Sequence, residues 1–221
     1  MAAPVLFIGN KNYSSWSMRP WLALKWGGIA FEERIIPLGV EGYGQSQIKD
    51  VRAISPSGRV PALHVGGVVI HESLAICEWA AEQAPSLWPA DALKRAEARA
   101  AASEMHAGFA ALRRDMSCNI RRRLKAAPDW PADTRADLAQ LFDLWGRLRA
   151  AHGGPFLFGE RSIADAMYAP AATRLRTYAV ETPRSAQAYC DAIFADADFR
   201  DWERAGEAET WTIEQTEALY R

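Results

Sequence analysis

The feature that most constrains the fold of this chain is a change of residue pattern near residue 84. Before that point, short apolar runs typical of strands alternate with segments of helical periodicity. After it, strand patterns are nearly absent and alanine-rich helical segments take over. The two prolines of Ala84-Pro85-Ser86-Leu87-Trp88-Pro89 are typical of a linker. We therefore expect an α/β domain over residues 1–84, a linker over 85–90 and an all-helical domain over 91–221.

The first domain is predicted to contain four strands. Two of them, Val60 to Val65 and Val68 to His71, are joined by Gly66-Gly67, a spacing typical of a β-hairpin. The other predicted elements are a strand over Val5 to Ile8, a helix over Ser17 to Lys25, a strand over Phe31 to Pro37, a mobile connection with a short helical patch over Gly39 to Val51, and a helix over Glu72 to Gln83. The order is strand–helix–strand, then strand–strand–helix.

The second domain is predicted to be built from five helical segments, over Asp91 to Arg123, Pro131 to Ala151, Ile163 to Val180, Ser185 to Ala195 and Phe199 to Gly206. The apolar positions between Phe109 and Met116 have helical spacing and are expected in the core. The basic run Arg121 to Lys125 lies where the first helix should end, so we interpret it as a solvated helix end. Ser162 and Asp165 have the spacing of a capping box.

Composition excludes several classes of function. The formal net charge of −1 gives no bulk attraction to nucleic acid or to an anionic membrane. No apolar run approaches the ~20 residues of a membrane span. The three cysteines are far apart and lie in no metal-ligand spacing, so neither a disulfide framework nor a metal site is expected. These features favour a cytoplasmic protein.

The chemically informative stretch is the hydroxyl-rich turn between the first predicted strand and helix, Tyr13-Ser14-Ser15-Trp16-Ser17. Unpaired N–H groups and the positive end of the helix dipole point into such a turn and favour an anion. A serine hydroxyl there can donate to a thiolate and lower the pKa of the thiol. Alternatively, the serines only cap the helix.

Three motifs together resemble the glutathione S-transferases. Ser14 stands five residues before Arg19, Val60 precedes Pro61, and Glu72 precedes Ser73, in the order and spacing of a glutathione site. The serine-type, zeta-like transferases are the most similar class, although Trp16 replaces the cysteine of the zeta motif. The resemblance implies a thioredoxin-like N-terminal domain, an all-α C-terminal domain and glutathione as co-substrate, without a metal.

The resemblance also implies a role for each motif. Ser14 would donate a hydrogen bond to the glutathione sulfur, with Ser15 as the alternative donor. The bond between Val60 and Pro61 would be cis, so that the Val60 backbone pairs with the cysteinyl residue. Ser73 would bind the γ-glutamyl carboxylate. Each of these side chains also has a structural reading, as a helix cap or a strand proline.

Three further contacts follow from the same resemblance. Glu72 would face the glutathione ammonium group, and Arg59 and Gln45 would contact the glycyl carboxylate or the backbone. Arg174 and Arg176 lie near the place where zeta enzymes carry a substrate-binding arginine, but neither matches cleanly and no role is assigned to them.

The implied function is an enzyme, a homodimeric glutathione transferase that attacks a small electrophile with the glutathione thiolate. One alternative is a glutathione-dependent cis–trans isomerase of the maleylacetoacetate type. Another is a non-catalytic binding protein with the same fold, although such proteins typically lose the thiol-activating residue or the Glu-Ser pair. No nucleic-acid or membrane partner is expected.

Overall fold

The computed structural model describes residues 3–39 and 49–220. The first part of the chain forms a four-stranded sheet in the order β2-β1-β3-β4, in which β1 is parallel to β2 and antiparallel to β3, and β3 is antiparallel to β4. The strands are β1 (Val5–Gly9), β2 (Glu32–Ile36), β3 (Ala62–Val65) and β4 (Val68–His71). The helices of this part are α1 (Ser15–Trp26), α2 (Lys49–Ile54) and α3 (Ser73–Gln83).

A single 3-10 turn at Pro85–Leu87 leads from α3 into the helical part. The helices there are α4 (Ala92–Ala107), α5 (Ala110–Asp115), α6 (Ala132–His152), α7 (Ile163–Thr177), α8 (Arg184–Ala195), α9 (Ala197–Ala208) and α10 (Glu214–Ala218). In the described part of the chain, no helix is long and apolar enough to cross a membrane.

The long helix predicted over 91–123 is wrong, because α4 ends at Ala107. Gly108 is extended, and Phe109 adopts a left-handed conformation with φ 54° that restarts the chain as the short helix α5. A Cβ at Gly108 would lie 2.8 Å from the carbonyl oxygen of Glu104, so the break needs a glycine. No helix continues beyond α5 until Ala132. The basic run at 121–125 therefore lies in a loop and does not end a helix.

The buried core crosses from the sheet into the helical part. Helix α1 packs against α3 on one side and against α7 on the other, while α7 also contacts α4. Met18 and Leu22 of α1 and Tyr168 of α7 are fully buried in one cluster. Phe109 and Met116 are also buried, as the spacing predicted. The position of α1 is therefore fixed from both parts of the molecule.

The start of α7 confirms the predicted capping box. The Ser162 backbone N–H donates to the Asp165 carboxylate at 2.8 Å. In return, the Ser162 side chain accepts from the backbone N–H of Asp165. Asp165 also accepts from the backbone N–H of Leu157 at 3.0 Å and from the Tyr189 hydroxyl at 3.1 Å. This carboxylate joins the start of α7 to the preceding loop and to α8.

Candidate functional site

The ends of three strands bring the motifs from the sequence to one edge of the sheet. Ala62, the first residue of β3, pairs with Phe7 of β1 and with His71 of β4. The turn after β1, the residues before β3 and the residues after β4 therefore meet at that edge. These segments contain Ser14 and Ser15, Arg59 to Pro61, and Glu72 and Ser73. Gln45 lies outside the described residues.

Ser14 is the N-cap of α1, and its hydroxyl is engaged within the first turn. The Oγ accepts from the backbone N–H of Ser17 at 3.3 Å and donates to the Ser17 Oγ at 2.7 Å. The Ser17 Oγ in turn accepts from the backbone N–H of Gly9 at 3.0 Å. The structural reading of Ser14 as a helix cap is thus present, and the cap ties the helix start to the end of β1.

Ser15 differs from Ser14 in its hydrogen-bond partner. The Ser15 side chain is buried, and its Oγ accepts from Nη2 of Arg174 at 3.1 Å. Arg174 lies in α7 and is 3% exposed. Sequence reasoning assigned this arginine no role, because a contact 159 residues apart leaves no trace in local spacing.

Two arginines and a histidine surround Trp16, the residue after Ser15. The guanidinium carbons of Arg19 and Arg113 lie 4.3 and 5.5 Å from the centre of the indole ring, and the His106 ring meets the indole edge-on at 5.4 Å. The Arg19 guanidinium is fully buried and has no hydrogen-bond partner among the described residues. Burial, together with the charges of Arg174 and Arg113, lowers the pKa of Arg19 to about 9. The cluster is therefore a positively charged region beside the serine turn.

The peptide bond between Val60 and Pro61 is cis, as the resemblance implied. Pro61 is buried, and Val60 is half-buried directly before β3. The Arg59 side chain is exposed at the same edge. The backbone of Val60 thus lies beside the last residues of β1.

Glu72 and Ser73 do not form the helix cap that their structural reading required. Glu72 has the left-handed φ of 83° with ψ 127°, which non-glycine residues rarely adopt, and its side chain makes no cap hydrogen bond. The Ser73 hydroxyl is fully buried and has no hydrogen-bond partner among the described residues. The Glu72 carboxylate is half-exposed, 3.8 Å from Nε2 of His106. An unpaired hydroxyl at a helix start, next to a strained residue, is typical of a binding site.

Residues 209–218, near the C-terminal end of the chain, contact the turn that precedes Ser14. We call this segment the C-terminal strap. The Glu209 carboxylate accepts from the backbone N–H groups of Lys11 and Asn12 at 2.7 and 3.0 Å. The Tyr13 hydroxyl donates to Glu217 at 2.5 Å. Arg121 donates to the Tyr13 hydroxyl at 2.9 Å and to backbone carbonyls of the strap. Arg121, the first residue of the basic run interpreted as a solvated helix end, thus links the turn to the strap.

No metal ligand set is found in residues 3–39 and 49–220, because no three His, Cys, Asp or Glu side chains there could hold an ion. What the site offers chemically is a set of hydrogen-bond donors at two helix starts, strand-edge backbone at Val60, and positive charge around Trp16. Such a set suits a small peptide with anionic groups.

Comparison with known proteins matches this arrangement. Residues 13–83 match the family model described as glutathione S-transferase, N-terminal domain. Maleylacetoacetate isomerase of Rattus norvegicus is 28% identical over 182 residues, which cover 80% of this chain and 81% of the rat protein. The matched family model spans the serine turn, the cis proline and the Glu-Ser pair.

Solved structures extend the likeness over nearly the whole chain. A bacterial maleyl pyruvate isomerase, described as a zeta-class glutathione S-transferase, has a TM-score of 0.70 and 25% identity, covering 94% of this chain and 100% of its own. A theta-class glutathione S-transferase of Xanthomonas axonopodis pv. citri with glutathione bound has a TM-score of 0.66 and 25% identity, covering 96% and 100%. The family match and these relatives agree with the thioredoxin-like sheet and its helical second part: residues 13–83 carry a glutathione S-transferase N-terminal domain, and nearly the whole chain has the fold of the glutathione S-transferases and is similar to their zeta class.

Proposed function

We propose that the protein is a glutathione transferase that binds glutathione at the edge of the sheet and activates its thiol. The observation that carries the proposal is the Ser73 hydroxyl, buried without a partner at the start of α3 beside the strained Glu72. A carboxylate ligand supplies the missing partner, and the dipole of α3 favours its charge. The zeta- and theta-class relatives support glutathione as that ligand.

In the proposed complex, each of the three residues of glutathione has its own contacts with the protein. Its γ-glutamyl carboxylate accepts from Ser73, its ammonium group faces Glu72, and its cysteinyl backbone pairs with Val60 in a short antiparallel ladder. Arg59 and Gln45 are the proposed contacts of the glycyl end. We retain the division into residues 1–84, 85–90 and 91–221, with the electrophile entering beside the second domain. A cytoplasmic homodimer remains part of the same proposal.

The serine turn supplies the thiol chemistry. A hydroxyl of Ser14 or Ser15 donates to the sulfur, and a hydrogen bond to a charged acceptor contributes about 1.5–3 kcal/mol. That stabilisation lowers the thiol pKa, ~8.5 when free, by roughly one to two units. The serine keeps its proton, the thiol proton passes to solvent, and the thiolate attacks a small electrophile by addition or displacement.

Ultraviolet titration of bound glutathione tests this function. The thiolate absorbance of the complex should show a pKa roughly one to two units below that of free glutathione, and the double variant S14A/S15A should bring it back towards the free value. Conjugation of a chlorinated aromatic should fall about ten- to a hundredfold at neutral pH in the same variant. A bound thiol pKa that does not respond to loss of both hydroxyls would contradict serine activation.

A glutathione-dependent cis–trans isomerase is the second candidate, favoured by the cationic side chains around Trp16. Arg19 and Arg113 would attract an electrophile that carries carboxylates, as a maleyl-type cis-alkene does. In an isomerisation, the thiolate adds to the double bond and leaves again after rotation, so glutathione is not consumed. Incubation with a maleyl-type alkene distinguishes the two candidates. Recovery of all glutathione with the trans product supports the isomerase, whereas a stable conjugate supports the transferase.

A further inference from the structure

We propose that Arg174 is a positioning residue that polarises the Ser15 hydroxyl, so that Ser15, and not Ser14, is the donor to the glutathione sulfur. This inference rests on the proposed function, in which a serine of the turn stabilises the thiolate. The two serines are adjacent in sequence, yet the structure gives them opposite hydrogen-bond environments.

The Ser14 hydroxyl is committed to the first turn of α1. A serine hydroxyl has one proton to donate, and Ser14 donates that proton to the Ser17 Oγ at 2.7 Å. Its oxygen also accepts the Ser17 backbone N–H. Donation from Ser14 to a sulfur would break the link between the cap and β1.

The Ser15 hydroxyl keeps its proton available. Its oxygen accepts from Arg174 at 3.1 Å, and no acceptor for its proton is recorded among the described residues. An oxygen that accepts from a cation becomes a better donor, since hydrogen bonds in a chain polarise one another. Ser15 is also the first residue of α1, where the helix dipole favours negative charge on a ligand.

Arg174 is held rigidly for this task. Its Nε donates to the Met116 carbonyl at 2.7 Å, and its Nη1 donates to the Pro170 carbonyl at 3.3 Å. The segment carrying Met116 is fixed on α7 by the Thr177 and Tyr178 hydroxyls, which donate to the carbonyls of Asn119 and Ser117 at 2.8 and 2.9 Å. The remaining guanidinium nitrogen, Nη2, therefore points in a fixed direction, towards the Ser15 hydroxyl.

The charge of Arg174 is not neutralised by a carboxylate in direct contact. All three hydrogen bonds of its guanidinium go to neutral oxygens, and the side chain is 3% exposed. The titratable groups that interact electrostatically with Arg174 are Arg19, Arg113, Cys118 and Tyr178. Burial lowers the pKa of Arg174. An arginine guanidinium nevertheless keeps its proton in proteins, so a positive charge lies against the Ser15 hydroxyl.

The experiment measures the thiol pKa of bound glutathione in S15A, R174M, the double variant S15A/R174M and S14A. We expect S15A and R174M each to raise this pKa by roughly one to two units, which means ten- to a hundredfold less thiolate at neutral pH. The double variant should show no further rise, because Arg174 acts through Ser15. S14A should mainly lower thermal stability, since it removes a cap, and should shift the pKa less than S15A.

Three results separate the ways in which the inference can be wrong. If R174M raises the pKa equally in the S15A background, Arg174 acts directly on the sulfur and the inference is overturned. If S14A alone raises the pKa, the proposed serine function stands but Ser15 is not the donor. If neither serine variant shifts the pKa, the serine mechanism itself is wrong.

Two further variants control for folding. R176M removes an arginine two positions along α7 that contacts Glu203 and the Phe194 ring instead of the serine turn, and should leave the bound thiol pKa unchanged. R174K keeps a positive charge but lacks the branched guanidinium group. We therefore expect its bound thiol pKa to lie between those of the wild type and R174M. If R174M does not fold, R174K and S15A together still decide the inference, because a wild-type pKa in both would contradict it.

Discussion

A single hydroxyl, that of Ser73, distinguishes a ligand site from a helix cap. A capping serine has its partner in the free protein, whereas the Ser73 Oγ is buried and unpaired among the described residues. A buried polar group without a partner costs free energy, so its presence indicates a partner that is absent from the free chain. The spacing of Glu72 and Ser73 in the sequence did not reveal this, because a cap and a ligand contact use the same residue types.

Replacing Ser73 by alanine should weaken glutathione binding without destabilising the protein. The lost hydrogen bond to a carboxylate should raise the glutathione Kd roughly 5- to 150-fold, which corresponds to about 1–3 kcal/mol. The KM should rise more than kcat falls, because the contact exists in both ground and transition states. Calorimetric binding and thermal unfolding check both parts, and a large drop in Tm with unchanged Kd would return Ser73 to a structural role.

Glu72→Gly should raise stability while it weakens binding. Glycine adopts a φ of 83° without strain, so we expect a gain of about 1 kcal/mol and a Tm higher by roughly 2–4 °C. The same change removes the carboxylate that would face the glutathione ammonium group in the proposed complex. E72Q, which keeps the backbone strain, serves as the matched variant. A lower Tm in E72G would mean that the backbone at this position is not strained.

At the scale of elements, the start of α7 depends on the buried carboxylate of Asp165. Burial raises the pKa of Asp165 to about 6. An unfolded aspartate titrates near 4, so between about pH 4 and pH 6 the folded state holds more protons than the unfolded state. The stability that this group contributes is therefore complete below pH 4 and is lost as the pH rises to about 6.

Asp165→Asn should remove that pH dependence. We expect the difference in urea midpoint between the wild type and D165N to shrink as the pH rises from 4 to 6 and to stay constant above. Taking the difference between the two proteins cancels the titration of the other carboxylates. Parallel curves across this window would show that Asp165 titrates alike in both states.

The helices and strands were the most predictable level of this molecule, and the exceptions have a physical cause. Periodicity placed α8 to within one residue and α7 to within three, and Gly66-Gly67 indicated the hairpin of β3 and β4. Residues 116–123, the first half of the loop between α5 and α6, were predicted as helix because they are compatible with one. Only the tertiary contacts of this loop explain its path, such as the 2.9 Å bond from the Arg121 backbone to Asn12. Arg174 escaped prediction for the same reason.

At the scale of the whole molecule, the C-terminal strap completes the turn that precedes the serines. The loop containing Arg121, the strap and α9 all form hydrogen bonds with residues 11–13. The Lys11 carbonyl accepts a hydrogen bond from the indole N–H of Trp202 in α9 at 3.1 Å. The site is therefore a property of the entire chain rather than of its first domain.

Glu209→Gln should loosen this turn. An amide keeps one acceptor but presents its NH2 group to a backbone N–H, so one of two charge-assisted hydrogen bonds is lost. We expect the Tm to fall by roughly 3–10 °C and the amides of Lys11 and Asn12 to exchange hydrogen faster. The exposed Glu207, changed to glutamine, is the matched control. Unchanged exchange at these two amides would show that the strap does not hold the turn.

The strap also sets an order of events during synthesis. Ribosomes deliver the serine turn early, but Glu209 and Glu217 follow about two hundred residues later. A nascent chain released before that point can form its sheet and still leave the Lys11 and Asn12 amides without their carboxylate. The turn that precedes Ser14 thus acquires these hydrogen bonds only after the strap itself has been translated.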